Sequence, residues 1–412
     1  MESNGERSRE SSRGYVMVSG VAYAIMLGYV LTRSRGYFWD EVFHASRAND
    51  LATSASFRDW LLDDRIVAPG PLHAQLLFTA SGWHGAPLPL VGRLINTGLL
   101  GATIAVLAWV QLRIGKRPVA AMAMMMVPMV WVVSGLTLTE PLSFFGATVA
   151  LAGAVLWSQR ESDRSRAAMA FALLASGTAI ATATRQTYLA AVPGLWLAAV
   201  EKRRDWGGAL AGIVVGLVPL ALLVAVWHGL VAPQLAYVER GVAPLHAYLA
   251  FSFTGVVALL IAPRFYWEHR RVALVGAAAA IIVNGLGRLV EPTTLTSVQR
   301  FLGHPAVGHA IEKVAGAVIV AAGAAFIAAM IAALSRSRDR LLWAAALAIT
   351  GLSVACAGVA QLFSSRYAVM AVPFLIVFLA PWIDFGRWAI ARVVCGSGLG
   401  LAILHSYYVY AS

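Results

Sequence analysis

Long apolar runs, separated by short clusters of arginine and lysine, constrain this chain more than any other feature. A helix that crosses a membrane needs about 20 mostly apolar residues. Candidate spans lie at 15–32, 88–110, 119–134, 141–157, 167–184, 186–200, 207–228, 246–263, 272–290, 313–334, 341–360, 367–384 and 393–410. That makes about thirteen by the apolar-length criterion, several of them short. Only 13% of residues are charged and 59% are hydrophobic; a soluble domain carries roughly twice that charged fraction. A soluble fold of this length has no interior large enough for so much apolar surface. The chain therefore reads as an all-α polytopic membrane protein.

The basic clusters orient it. With the N-terminus inside and alternating spans, the inside receives groups beginning at Arg7, Arg113, Arg160, Lys202, Arg264, Arg336 and Arg387. Together they hold twenty of the 32 Lys and Arg residues, and every inside connection is served, as the positive-inside rule requires. The formal net charge of +12 is thus a membrane-topology signal, and nucleic acid is not an expected partner. Residues 1–14 form a polar cytoplasmic tail, followed by a retained signal-anchor span rather than a cleaved leader. The remainder, 15–412, reads as a single membrane domain. The two cysteines, Cys356 and Cys395, lie in apolar runs and suggest neither a disulfide framework nor a metal site.

The outside connections are then led by a much longer one, 33–87. Phe57, Trp60 and Leu61 share a helical face, which suits a helix on the membrane surface. Leu72 to Trp83 is apolar but too short to span; it reads as an interfacial or re-entrant helix starting after Pro69-Gly70-Pro71.

Most groups able to do chemistry cluster on that outer side. Asp40 and Glu41 stand together where the first span ends, among aromatics and beside His44. Adjacent carboxylates on a helix or turn point in different directions. One is therefore expected to face a cavity, where it would take a proton from a sugar hydroxyl, and the other to hold structure; an interfacial acidic anchor is the plainer alternative. Thr139-Glu140-Pro141 opens a helix, with Thr139 as its cap and Glu140 either favouring the helix dipole or facing the cavity. Arg185, followed by Gln186, and Arg366, followed by Tyr367, occupy tight outer turns. The positive-inside rule disfavours them there, and a phosphate headgroup would account for both. His73 and His246 are lesser candidates for contact with phosphate or sugar; each alone is more often structural. The loop 291–312, with His304 and His309, is a candidate cover for the site. No nucleotide-phosphate loop occurs and no metal-ligand cluster stands out, so no cofactor or metal is expected.

The run Trp39-Asp40-Glu41-Val42-Phe43-His44, with Trp60 and Ile66 before Pro69-Gly70-Pro71-Leu72, resembles the first loop of the eukaryotic dolichyl-phosphate-glucose α-1,2-glucosyltransferase family. Arg185-Gln186-Thr187 is similar to an arginine-glutamine-threonine motif of that family, and His246 with Tyr248 to a weaker histidine-centred patch. The match covers the first loop well and the rest by architecture. It implies a GT-C-type bundle and an inverting transfer of a hexose, glucose favoured. The donor would be a polyprenyl- or dolichyl-phosphate sugar in the membrane, and the acceptor a glycan or glycolipid. By this resemblance Asp40 is the general base, with Glu41 in support. Arg185, joined by Arg366 and His246, holds the carrier phosphate. The Ala, Gly and Arg bias favours a bacterial plasma membrane over the endoplasmic reticulum. The rival class is a lipid or solute transporter, which calls for ionisable residues midway along several spans or for paired broken helices. A non-catalytic scaffold leaves the first-loop cluster unexplained.

Overall fold

The structure is a computed structural model that describes residues 2–33, 36–38, 40–62, 69–160, 163–202, 205–232, 241–287, 305–359 and 363–410. Trp39, Asp63, Asp64, Ile66, Arg288 and most of the 291–312 loop lie outside the described residues. Those described form helices joined by turns, with no strand among them.

The chain opens with α1 (Glu2–Arg33), which carries the first span, Ser12–Arg33. The helix starts well before the span, so the polar tail continues its axis. The long connection 33–87 folds into α2 (Asp40–Thr53), α3 (Phe57–Leu62) and α4 (Leu72–Ala80). Next come α5 (Pro89–Arg113), α6 (Pro128–Gly135), α7 (Glu140–Ser158), α8 (Arg164–Thr184), α9 (Val192–Ala199) and α10 (Trp206–Trp227). The rest is α11 (Pro244–Ile261), α12 (Pro263–Glu268), α13 (Arg270–Gly287), α14 (Pro305–Arg336), α15 (Arg340–Ala355), α16 (Val372–Leu379) and α17 (Arg387–Tyr410).

Nine helices among the described residues are long and apolar enough to cross a membrane, or ten if one bent pair counts as a span. Prolines explain three of the differences from thirteen. The 119–134 run is a 3-10 helix, Pro118–Met126, followed by α6 at a bend of 82°; Pro128 begins the new axis because it cannot continue the old hydrogen-bond ladder. The 186–200 and 367–384 runs share a second pattern. Each is a short 3-10 helix, Gln186–Ala191 or Ser365–Ala371, that passes into an α-helix led by Val-Pro. The fourth, 272–290, is the apolar helix α13, and its last three residues lie outside those described.

The bundle is centred on α7, whose span window is 89% buried against 28% for that of α1. It packs on α8 at very close range. A Cβ on Gly177 would come 2.2 Å from the Ala150 nitrogen, and one on Gly153 would come 2.3 Å from the Leu174 nitrogen. Small residues let membrane helices approach until dispersion and backbone contacts hold them, since apolar burial alone does not drive association in lipid.

Candidate functional site

The site is built where the first loop meets the starts of α7 and of the two broken segments. Asp40 is the first residue of α2 and Glu41 the second. About 100° of rotation separates neighbours on a helix, so their carboxylates part company. Glu41 is fully buried and saturated. It accepts from Arg93 Nε at 2.9 Å and from an Arg93 terminal nitrogen at 2.6 Å. It also accepts from the Phe38 and Thr137 backbone N–H groups at 2.9 and 2.6 Å. Arg93, itself buried, lies over the rings of Phe38 and Tyr408 and donates to the Gly36 carbonyl. This knot pins the first loop to α5 and to the chain before α7. Glu41 meets no open space, so it holds α2 in place rather than touching a substrate.

Asp40 turns the other way, into a cavity of about 650 Å³. Its side chain is 40% exposed and ion-paired to Arg366. Arg366 Nε also lies 3.4 Å from Glu140 Oε1, and that oxygen accepts from Arg185 at 2.6 Å. Arg185 Nε donates to the Thr139 hydroxyl at 2.9 Å. Thr139, expected to cap α7, makes no side-chain cap; its hydroxyl is engaged by Arg185 instead. The result is an alternating row, Asp40–Arg366–Glu140–Arg185–Thr139. Glu140 is buried beneath the two arginines and does not line the cavity. It brings two like charges together and keeps both facing the opening.

Each arginine stands at the head of a broken segment. Arg185 immediately precedes the 3-10 helix Gln186–Ala191, and Arg366 is the second residue of Ser365–Ala371. Gln186, Thr187 and Tyr367 line the same cavity, and the Arg185 guanidinium lies 5.6 Å from the Tyr367 ring. Apolar residues, among them Leu189, Leu230, Val231 and Val359, also line it.

His44, one turn after Asp40, also lines the cavity, and its ring meets that of His73 edge to face at 5.4 Å. Burial pushes the His44 pKa well below the ordinary histidine range, and His73, Arg185 and Arg366 add to the effect. The imidazole is therefore neutral at pH 7. His73 is sealed behind it, fully buried with neither ring nitrogen hydrogen-bonded. Burial lowers its pKa to about 4 against the opposing charge of Glu140. His73 does not reach the cavity, contrary to its expected substrate contact. His246 does not either: its Nδ1 hydrogen-bonds the Val359 carbonyl, and its ring leans on Phe363, so it braces the wall from outside.

The cavity thus gathers Asp40, His44, Arg185, Gln186, Arg366 and Tyr367 of the expected residues, leaving Glu41, His73, Glu140 and His246 behind its walls. Sequence reasoning missed Arg93, although an arginine within the first turns of an apolar span is itself a signal. It also missed Thr187 and the sequence likeness of the two broken segments. Among the described residues no three His, Cys, Asp or Glu side chains come together as metal ligands would.

No protein-family model matches this chain, and no curated protein matches it. Two solved structures, both of ArnT from Cupriavidus metallidurans, are loosely similar to it. The one bound to undecaprenyl phosphate is 13% identical over 89% of this chain and 76% of that chain, with a TM-score of 0.43. The apo state gives 13% identity, the same coverage and a TM-score of 0.42.

Proposed function

We propose that this chain is an integral-membrane glycosyltransferase of the GT-C type. It would move a hexose, glucose favoured, from a polyprenyl- or dolichyl-phosphate donor to a glycan or glycolipid acceptor on the extracytoplasmic face. One observation carries the reading. A row of alternating charges, ending in a partly exposed aspartate, borders a cavity that apolar side chains also line. A lipid-phosphate sugar has matching parts: an anion for Arg185 and Arg366, a hydrocarbon tail for the apolar side chains, and a sugar to lie near Asp40. The first-loop resemblance points the same way and supports glucose and the dolichyl-type donor in particular.

The chemistry follows from the placement. The acceptor hydroxyl oxygen attacks the anomeric carbon as the bond from that carbon to the phosphate oxygen breaks. The electron pair leaves with the lipid phosphate, and the hydroxyl proton passes to Asp40. A single displacement of this kind inverts the anomeric centre. Fixed cations at the developing phosphate charge lower the barrier because they need no reorganisation, and the arginine fork suits a phosphate. Asp40 keeps lone pairs beyond the one Arg366 occupies. Arg366 would exchange Asp40 for the donor phosphate as that anion enters, which leaves the carboxylate free to accept a proton. Neutral His44 beside it would orient the acceptor hydroxyl.

The test is transfer by the purified protein in detergent, with radiolabelled polyprenyl-phosphate glucose and mannose offered in parallel and a glycolipid extract as acceptor. Asp40→Asn is expected to lose about 10²–10⁴-fold in rate, the usual contribution of general-base catalysis, while the protein stays monodisperse. Transfer unaffected by Asp40→Asn would refute its role as base. One feature favours the transporter reading: the two broken segments starting at Arg185 and Arg366 form the kind of pair seen at transporter sites. Absence of transfer from either donor, together with carrier-lipid flipping in vesicles, would decide for that class.

A further inference from the structure

A second cavity, of about 480 Å³, opens at the far end of the bundle. Three elements run from one cavity to the other. Helix α5 begins beside the Glu41 knot, through Arg93, and ends just before Gly115-Lys116-Arg117. Helix α11 starts after Ala243, which donates to Ala357 near the first cavity, and ends just before Arg264. The Arg366 segment continues through α16 to Ala380, Pro381 and Asp384.

The far cavity is basic and shaped by the backbone. Helix α5 ends in a Schellman motif: Gly115, at φ +70°, donates to Leu112 at 3.1 Å, and Lys116 donates to Gln111 at 2.8 Å. That turn delivers Lys116 and Arg117 to the rim. Arg264, the second residue of α12, lines the same cavity. The carboxylates nearby already hold partners: Asp384 pairs with Arg392 at 2.9 Å, and Glu268 pairs with Arg264 at 2.7 Å while accepting from Trp382 at 2.7 Å. Positive charge therefore predominates, and Ile383 and Phe385 give the cavity an apolar side.

Tryptophans fix what kind of anion can reach it. Trp267 and Trp388 are 69% and 68% exposed, with Arg270 and Arg387 lying 5.2 and 5.5 Å from their rings. Exposed tryptophan paired with a cation marks the headgroup level of a bilayer. We propose that this cleft, bounded by Lys116, Arg117 and Arg264, binds the phosphate headgroup of an anionic membrane phospholipid. Basic pockets between spans at headgroup depth recognise such lipids by charge. The proposal does not depend on the transferase reading, since the site lies in the other leaflet.

Native mass spectrometry of the full chain in a neutral detergent tests it, with phosphatidylglycerol and phosphatidylcholine titrated separately. Phosphatidylglycerol is expected to bind saturably and more tightly. Arg264→Gln should weaken it about 5-fold and the Lys116→Gln/Arg117→Gln pair about 30-fold, at roughly one charge's worth of attraction each. Arg264→Gln changes an exposed side chain and keeps the test open if the double variant does not fold. Equal binding of the two lipids, or variants that bind phosphatidylglycerol as the parent does, would overturn the proposal. So would displacement of the lipid by millimolar inorganic phosphate, which would assign the cleft to a soluble phosphate compound.

Discussion

Asp40 and Glu41 are neighbours in the chain but lie in opposite surroundings. The Glu41–Arg93 pair is fully buried, and taking one charge from such a pair leaves the other uncompensated at a cost of about 3–5 kcal/mol. Glu41→Gln should therefore lower the unfolding temperature measured in detergent, with any loss of activity following loss of folded protein. Asp40→Asn, at a partly exposed side chain, should leave that temperature nearly unchanged. A division of labour between the two was legible from their adjacency; which one faces the cavity was not, because Arg93 lies 52 positions away in sequence. The buried histidines make a second prediction. In the unfolded chain His73 titrates near 6.5, whereas in the folded protein its pKa is about 4, chiefly through burial. Between those values the unfolded chain binds more protons. Stability contributed by neutral His73 is complete above about pH 6.5 and is lost as pH falls toward 4, by about 3 kcal/mol in all. His44, lowered by the same burial, adds to the loss, while Glu140 opposes it. The unfolding temperature should fall more steeply from pH 7 to 4.5 in the parent than in His73→Gln.

At the scale of elements, the Asp40 cavity depends on how the first loop is fastened to α8. Gly70 donates its N–H to the Thr184 carbonyl at 2.9 Å, and a Cβ there would come 2.0 Å from the Ala183 carbonyl oxygen. No side chain fits, so Gly70→Ala must push the loop and the end of α8 apart. Ala183 and Thr184 directly precede Arg185, and misplacing a catalytic constellation by about 1 Å costs on the order of 10²-fold. Gly70→Ala should thus depress sugar transfer by about that factor while circular dichroism shows helix content unchanged. The Pro-Gly-Pro turn and the short helix after it were readable from proline, glycine and the length of the apolar run. The broken segments were not. Apolar length counts Gln186–Ala199 and Ser365–Leu379 as spans, whereas each opens as a 3-10 turn and passes into an α-helix only at Val-Pro. The likeness of the two is spread over a few residues, too little to register as a repeat, and it is Glu140 between them that brings Arg185 and Arg366 together.

Over the whole molecule, the basic clusters and the two cavities place a demand on topology. The charge pattern requires the first loop outside and the α7–α8 connection inside. Both ends of α7 carry a testable residue nearby: Ala52 in α2 on the Asp40 side, and Ser165 at the start of α8 on the other. Both are exposed. In a background with Cys356 and Cys395 replaced by serine, Ala52→Cys should react with a membrane-impermeant maleimide added to intact cells stripped of their wall. Ser165→Cys should react only after the membrane is opened. The nine or ten spans of the described residues and the thirteen of the apolar-length criterion differ in runs that the structure bends, opens as a 3-10 helix or describes only in part. Gln186–Ala199 leads from Arg185 at the Asp40 cavity to Asp205, which pairs with Arg160 beyond the end of α7, and Ser365–Leu379 leads from Arg366 to Ala380 at the far cavity. Each therefore counts as a crossing, and every later loop depends on counting it. The same pair of labels, moved to Ser335→Cys before α15 and Gly358→Cys after it, therefore tests that count. Labelling of Gly358→Cys but not Ser335→Cys in intact cells is expected, because Gly358 lines the Asp40 cavity. The reverse pattern would place Arg366 and Asp40 on opposite sides of the membrane, which their ion pair forbids.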